Sequence, residues 1–415
     1  MFQRFRIALA PGQAPWLGAG YLLCFSSSFG QTFFIALSGA EIRALLDLSH
    51  GDFGALYAIA TGVSALLMTW AGAVADRPRL APLTVVLLCG LAVACLLIAT
   101  TDSIWQLLLA VLLLRLFGQG LLSHVAMTAM ARWFDRQRGR AIAVASLGYP
   151  TGEALLPSLA VFAMVLIGWR GTWIAAAILL LALAPLLWRL LRNEPRMEEQ
   201  LTSGEAQHQG SATSTSWTRG QVLRDPLFYL LLPGVISVSF MVTAILFHQA
   251  LLVEVKGWSL AWFAAAYPFN AVTVVVMSLI AGWLVDRFGA RRLLGPYLLP
   301  MACAFLLLSS GSWPGLAPLF MFLAGLSVGS GFVILGALWA EIYGTRHLGA
   351  IRGLAFGAMV AGSAGGPVVM GWLYDQGVSL DLQLQTFAIY LFGNALLFSL
   401  LVLRHPRLAA RATSG

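Results

Sequence analysis

Gly282-Trp283-Leu284-Val285-Asp286-Arg287-Phe288-Gly289-Ala290-Arg291-Arg292 stands 210 residues after Gly72-Ala73-Val74-Ala75-Asp76-Arg77-Pro78-Arg79, with Gly, Asp and Arg in the same three places. The same shift carries Ser49 onto Ser259, Phe53 onto Phe263 and Tyr57 onto Tyr267. It also carries Arg136 and Gly139 onto Arg346 and Gly349, Gly152 onto Gly362, and Pro157 onto Pro367. One register held across more than a hundred residues, loops included, marks a duplicated structural unit rather than a local motif. Glycine and alanine coincide easily by chance in such a chain; paired Asp-Arg, Tyr and Pro do not.

The composition says what the unit is made of. Of 415 residues, 59% are hydrophobic and 10% charged, against about 25% charged in soluble domains. A hydrocarbon core about 30 Å thick needs roughly 20 apolar residues per helical span. The apolar runs predict helices at 16–38, 54–75, 83–100, 104–130, 140–167 and 171–191, then at 226–252, 261–285, 293–311, 315–340, 350–374 and 382–403. The expected fold is therefore all-α and membrane-embedded, with twelve transmembrane helices in two six-helix repeats. An even number of spans per half gives both halves the same orientation, so the repeat is parallel. The predicted organisation is an N-terminal six-helix bundle over 1–191, a cytoplasmic linker over 192–225 and a C-terminal six-helix bundle over 226–415. The linker is rich in Glu, Gly, Ser and Thr and cannot bury a core of its own. Parallel repeats of this kind place a substrate site near the membrane midplane between the halves.

The net charge of +8 has its meaning in its placement. With the N-terminus inside, all but four of the 25 basic residues fall on the inner side; Arg43, Arg170 and Lys256 lie outside and Arg115 within a span. The acidic residues divide nine inside and seven outside, with Glu153 in a span. That bias of Arg and Lys is the positive-inside pattern. It predicts a multi-pass protein of the cytoplasmic (inner) membrane with both termini cytoplasmic, in contact with lipid and not with nucleic acid. The N-terminal stretch with Arg4 and Arg6 runs into apolar sequence with no small-residue cleavage site, so no signal peptide is expected. Cys24, Cys89, Cys95 and Cys303 all lie in apolar runs and read as buried hydrophobes, with neither disulfide nor metal framework.

The glycine, acidic and basic spacing of the two quoted stretches resembles the inter-helix loop signature of the major facilitator superfamily. The first copy departs in Pro78 and in its shortened basic end. The resemblance implies a transporter working by rocker-switch alternating access, usually as a monomer and without a cofactor. In that setting Asp76, Arg77, Arg136, Asp286, Arg287, Arg291 and Arg346 form a gate, charge pairs holding one state closed and breaking for the other. Arg132-Trp133-Phe134-Asp135-Arg136-Gln137-Arg138-Gly139-Arg140 and Gly168-Trp169-Arg170 are similar to the monocarboxylate and oxalate–formate branch of the superfamily. Carriers of that branch place a cation in the eighth or eleventh span. This chain offers Tyr267 and Asn270 in the eighth, and no charge from Gly353 to Tyr374 in the eleventh.

Two full charges sit deep in spans. At 1.5 Å per residue, Arg115 lies about 20 Å from Asp102 and Glu153 about 20 Å from Arg140. A charge in hydrocarbon is costly and faces a cavity or a partner. Arg115 and Glu153 are thus either a structural ion pair or a working site, Arg115 binding an anion and Glu153 carrying protons. Gln119, four residues on, shares Arg115's face. Gln31, in a polar stripe with Cys24, Ser27, Ser28 and Ser38 on the first span, needs partners for its amide. His124 is expected to bond between helices, and His248 and Gln249, near the outer end of the seventh span, either to form an outer vestibule or proton entry or to face interfacial water. Substrate contacts are therefore expected from Arg115, Gln119, Gln31, Tyr267 and Asn270, and proton coupling from Glu153 and His248.

Gly325-Leu326-Ser327-Val328-Gly329 matches the nucleophile elbow of hydrolases, but it falls inside a predicted span where the strand–turn–helix context is missing. No metal-ligating or phosphate-loop spacing accompanies it, so no enzyme is expected. The predicted function is secondary active transport of a small organic solute, best a carboxylate-type anion, coupled to protons. The alternatives are proton-driven efflux of amphipathic compounds and a non-transporting membrane sensor.

Overall fold

A computed structural model of the chain describes residues 13–71, 79–134, 137–193, 217–405 and 408. Among them the fold is helical throughout. Ten helical stretches are long and apolar enough to cross a membrane, and a bent pair, Gln13–Gly30 with Thr32–Leu46, makes an eleventh. One of the ten, Gly139–Leu191, has 53 residues and would reach about 80 Å unbroken, more than two bilayer cores. Gly168, at φ 72° and ψ 169°, breaks it into two. The count is then the expected twelve.

We number the spans α1 (residues 13–46), α2 (His50–Ala71), α3 (Leu80–Ala99), α4 (Ile104–Trp133), α5 (138–167) and α6 (169–191). They continue as α7 (226–256), α8 (Leu260–Phe288), α9 (Ala290–Ser309), α10 (Leu316–Tyr343), α11 (Leu348–Asp375) and α12 (Leu380–Arg404). The chain divides into two compact units, residues 1–48 with 56–210, and residues 49–55 with 211–415. Trp217 to Asp225, from the hydrophilic stretch, fold onto the second unit. Thr218 and Gln221 form a capping box, the Trp217 amide donates to the Tyr343 carbonyl at 2.9 Å, and the Tyr343 hydroxyl donates to Asp225 at 3.0 Å.

The two units repeat one packing scheme. In the first, Gly148 of α5 lies against the backbone of Tyr21 and Phe25 on α1, where a Cβ would stand 2.7 Å from the Phe25 nitrogen. In the second, Gly366 of α11 lies against the Phe240 carbonyl on α7. Small residues at these contacts let helix backbones touch, which is what holds helices together where water no longer drives association. Burial follows the repeat as well. Phe53 and Phe263 are 2% and 0% exposed, and Tyr57 and Tyr267 are 1% and 0%.

Three departures from regular helix fall at or beside residues expected in the site. α1 changes to a tight 3₁₀ turn over Ser27–Gly30 and opens at Gln31, which is extended at φ −84° and ψ 153°. α4 widens into a π-helical stretch from Leu114 to Leu122. α7 is interrupted at His248, φ −93° and ψ 28°, between Pro226–Phe247 and Gln249–Lys256. None of these breaks falls at an interior proline, the residue from which a kink is easiest to read.

Candidate functional site

The irregular parts of α1 and α4 meet. Gly30 and Gly118 approach so closely that a Cβ on Gly118 would stand 2.7 Å from the Gly30 Cα. Opening α1 at Gln31 redirects the Phe34 amide to the Gln31 carbonyl at 3.1 Å, so the Gly30 carbonyl loses the donor a continuous helix would supply. Arg115 takes that place, donating from Nη1 to the Gly30 carbonyl at 3.3 Å and to the Thr32 hydroxyl at 3.5 Å. Thr32 and Tyr57 share a 2.6 Å hydroxyl–hydroxyl hydrogen bond. The guanidinium carbon sits 5.2 Å from the Tyr57 ring centroid, within cation–π reach. π-Helical turns often mark functional positions, and this one sets the only charge of α4's apolar middle against the break in α1.

Arg115 is 3% exposed, and its Nε has no acceptor among the described residues. Its two hydrogen bonds are long, and no carboxylate pairs with it. The ion pairs among the described residues are Arg170–Asp102, Lys256–Asp381 and Arg291–Glu341. Glu153, half-buried on α5, is in none of them, so the structural Arg115–Glu153 pair is absent here. A guanidinium this deep without a counter-charge is costly, and it retains donor capacity for an anion. Gln31 and Gln119 are both half-buried, and the Gln119 carbonyl accepts from the Ser123 hydroxyl. The repeat does not extend to this charge: the residues 210 positions on from Arg115 and Gln119 are Gly325 and Gly329.

The expected residues of the second unit use their polar groups inside that unit. Tyr267 donates to the Gln249 side chain at 3.0 Å, and Asn270 to the Met321 carbonyl at 3.2 Å. His248 is 4% exposed, with Nε2 2.9 Å from the Pro367 carbonyl. Its ring lies 5.7 Å from that of His50, in the segment of α2 that folds with this unit. His248 is therefore a buried joint between α7 and α11, not a residue at an open vestibule. His124 is exposed and bridges no helices among the described residues. The π-helical stretch between it and Arg115 alters the rotation that regular α-helical spacing implies.

Of the gate residues, Asp76, Arg77 and Arg136 lie outside the described residues. In the second copy, α8 ends at Phe288, Gly289 turns the chain at φ 79°, and Ala290 starts α9. Glu341, at the end of α10, accepts from the Ala290 amide at 2.7 Å and pairs with Arg291 at 3.4 Å. Arg291 also donates to the Glu341 carbonyl. Arg287 lies over the Trp283 ring at 5.5 Å, while Asp286 and Arg346 are exposed. Glu341 was not anticipated from the sequence, although one signal was available: a carboxylate in the last turn of a helix opposes the helix dipole, so it must serve something else. Thr32 and Gly30 carried no such signal. Ser327, the centre of the elbow-like string, is fully buried inside α10 and accepts from the Met301 amide at 2.9 Å.

The fold and sequence both have relatives. A sequence model of the Major Facilitator Superfamily matches residues 20–294 and again 262–415. The membrane sensor protein UhpC of Escherichia coli strain K12 is 26% identical over 321 residues, 72% of this chain and 69% of that protein. A multidrug resistance protein B homolog of Mycobacterium tuberculosis is 31% identical over 115 residues, 27% of this chain and 20% of that protein. Among solved structures, a bacterial homolog to the human lysosomal transporter Spinster aligns at a TM-score of 0.74 and 16% identity, covering 98% of this chain and 100% of its own. The nucleoside transporter NupG aligns at 0.69 and 13%, covering 94% and 99%. At such identities the structural likeness is one of fold. Twelve spans, a parallel repeat in one register and a family match across both halves lead to one conclusion: the chain belongs to the major facilitator superfamily.

Proposed function

We propose that the chain is a secondary active transporter for a small organic anion of carboxylate type, working by alternating access of its two repeats and coupled to protons. The observation that carries this reading is Arg115, a buried guanidinium with long hydrogen bonds and, among the described residues, no acceptor for its Nε and no carboxylate in an ion pair with it. A carboxylate offers that group a planar, two-oxygen acceptor and compensates its charge. In this reading Gln31 and Gln119 contact the rest of the solute, and Glu153 carries the proton because it pairs with no cation among the described residues. Tyr267, Asn270 and His248 hold the second repeat in shape. Asp286, Arg287, Arg291 and Arg346, with Glu341, form the second-repeat half of the gate, and Asp76, Arg77 and Arg136 the first.

Uptake into proteoliposomes tests this. Labelled monocarboxylates and dicarboxylates should accumulate when an inward proton gradient is imposed, and Glu153→Gln should exchange solute without accumulating it. Accumulation of lipophilic cations in place of carboxylates would overturn the anion reading and favour efflux. A second reading has its own support, since the Escherichia coli relative is named a sensor. Saturable carboxylate binding with no flux in either direction would select it.

A further inference from the structure

A cavity of about 650 Å³ opens where the start of α1 meets the end of α6, both in the first unit. Its walls include Trp16, Leu186, Arg189, Leu190, Arg192 and Asn193. The spacing of Leu186, Arg189 and Leu190 puts them on one helix face, and Arg192 continues it one turn past Arg189. Both arginines are exposed and enter no ion pair among the described residues. Leu186 is 44% exposed, so an apolar wall runs down from two exposed guanidiniums. An indole stands beside them, the ring that membrane proteins place at the boundary of hydrocarbon and water. This end of the protein carries the arginine excess, and every basic residue of the chain except Lys256 is arginine.

A soluble anion needs the guanidiniums but has no use for the leucine wall. A hydrocarbon chain needs the wall but not the cations. An anionic phospholipid needs both, and the planar guanidinium fork matches phosphate oxygens two at a time. We propose that this cavity binds the phosphodiester head group of an anionic phospholipid. Arg189 and Arg192 take the phosphate oxygens, the Asn193 amide takes a glycerol or phosphate oxygen, and Leu186, Leu190 and Trp16 line the first carbons of the chains. The lipid then clamps the entry of α1 to the exit of α6. The site is separate from Arg115 and independent of what the protein transports.

Native mass spectrometry and thermal melts in mixed micelles test it, with phosphatidylglycerol against phosphatidylcholine, and inorganic phosphate and glycerol 3-phosphate as soluble probes. Each surface-level cation is worth about fivefold in binding an anionic lipid. Arg189→Gln with Arg192→Gln should therefore lower the preference for phosphatidylglycerol about 30-fold. Arg404→Gln, a charge removed from the last turn of α12 in the other unit, should leave it unchanged. If the double variant does not purify, Arg192→Gln alone carries the test with an expected loss of about fivefold. The proposal fails if the double variant keeps the wild-type preference, or if Arg404→Gln weakens it equally, which would indicate diffuse attraction. It also fails if either soluble probe stabilises the protein as well as phosphatidylglycerol does, which would make this a free-anion site.

Discussion

Replacing Arg115 with methionine separates a working cation from a structural one. Methionine has similar length and no charge, so the space between α1 and α4 stays filled. The structure sets what is lost in the empty protein. That is two hydrogen bonds at 3.3 and 3.5 Å, near the limit of the interaction, and a cation–π contact at 5.2 Å. Set against them is the desolvation of a guanidinium that is 3% exposed and has no counter-ion. Replacing a buried charge by an apolar group of matching volume is often neutral or stabilising. The apparent melting temperature of Arg115→Met without ligand should therefore equal or exceed that of wild type. Ligand binding should behave in the opposite way. Charge-assisted hydrogen bonds contribute about 1.5–3 kcal/mol each, so loss of the contact should weaken carboxylate affinity by about tenfold to a hundredfold. Arg115→Lys keeps the charge but not the fork and should fall between the two. The assay is thermal stability in detergent across a carboxylate titration, since a ligand that binds the native state raises the transition by mass action. The reasoning is refuted if Arg115→Met keeps wild-type carboxylate stabilisation. An empty Arg115→Met protein that melts far below wild type would refute it too, by making Arg115 a structural residue.

Three further outcomes follow from the same geometry. Glu153→Gln should leave carboxylate exchange within a few-fold of wild type while abolishing proton-driven accumulation, measured as counterflow against uphill uptake in proteoliposomes. Glu341→Ala removes both the cap on the Ala290 amide and the Arg291 pair. It should cost about 1–2 kcal/mol, mostly from the cap, and slow flux, whereas Glu341→Gln should recover part of the stability, as thermal melts would report. Gly148→Leu forces a side chain into the Tyr21 and Phe25 backbone. It should abolish monodisperse expression on size-exclusion chromatography, while the same change at Gly349, where a Cβ meets nothing within 4 Å, should be tolerated.

The candidate site was legible in part. Arg115 and Glu153 stand out in one dimension because a charge inside an apolar run has a cost wherever the helix faces. Their partners do not stand out. Thr32 is an ordinary residue of the first span, Tyr57 is marked only by its repeat mate Tyr267, and only the break at Gln31 brings the Gly30 carbonyl to the arginine. The depth estimate for Arg115 needed only the helical rise. The expectation that His124 bonds between helices rests on regular α-helical spacing, which the π-helical stretch of α4 interrupts. His248 read as a vestibule residue because its sequence position is near a span end, yet the Pro367 carbonyl of another helix holds it in a buried joint.

Span number, the duplication and the excess of arginine at one end were set by the sequence by itself. Each is an average or a period along the chain, and the cost of exposing polar backbone or burying charge in lipid acts on those averages directly. Which helices touch, which carbonyl is left without its helical donor, and which carboxylate meets Arg291 were decided only by the tertiary structure. Those outcomes turn on close approaches between residues far apart in the chain, such as Gly30 with Gly118 and Ala290 with Glu341. A difference of one helical turn in register would change them without altering any of the averages.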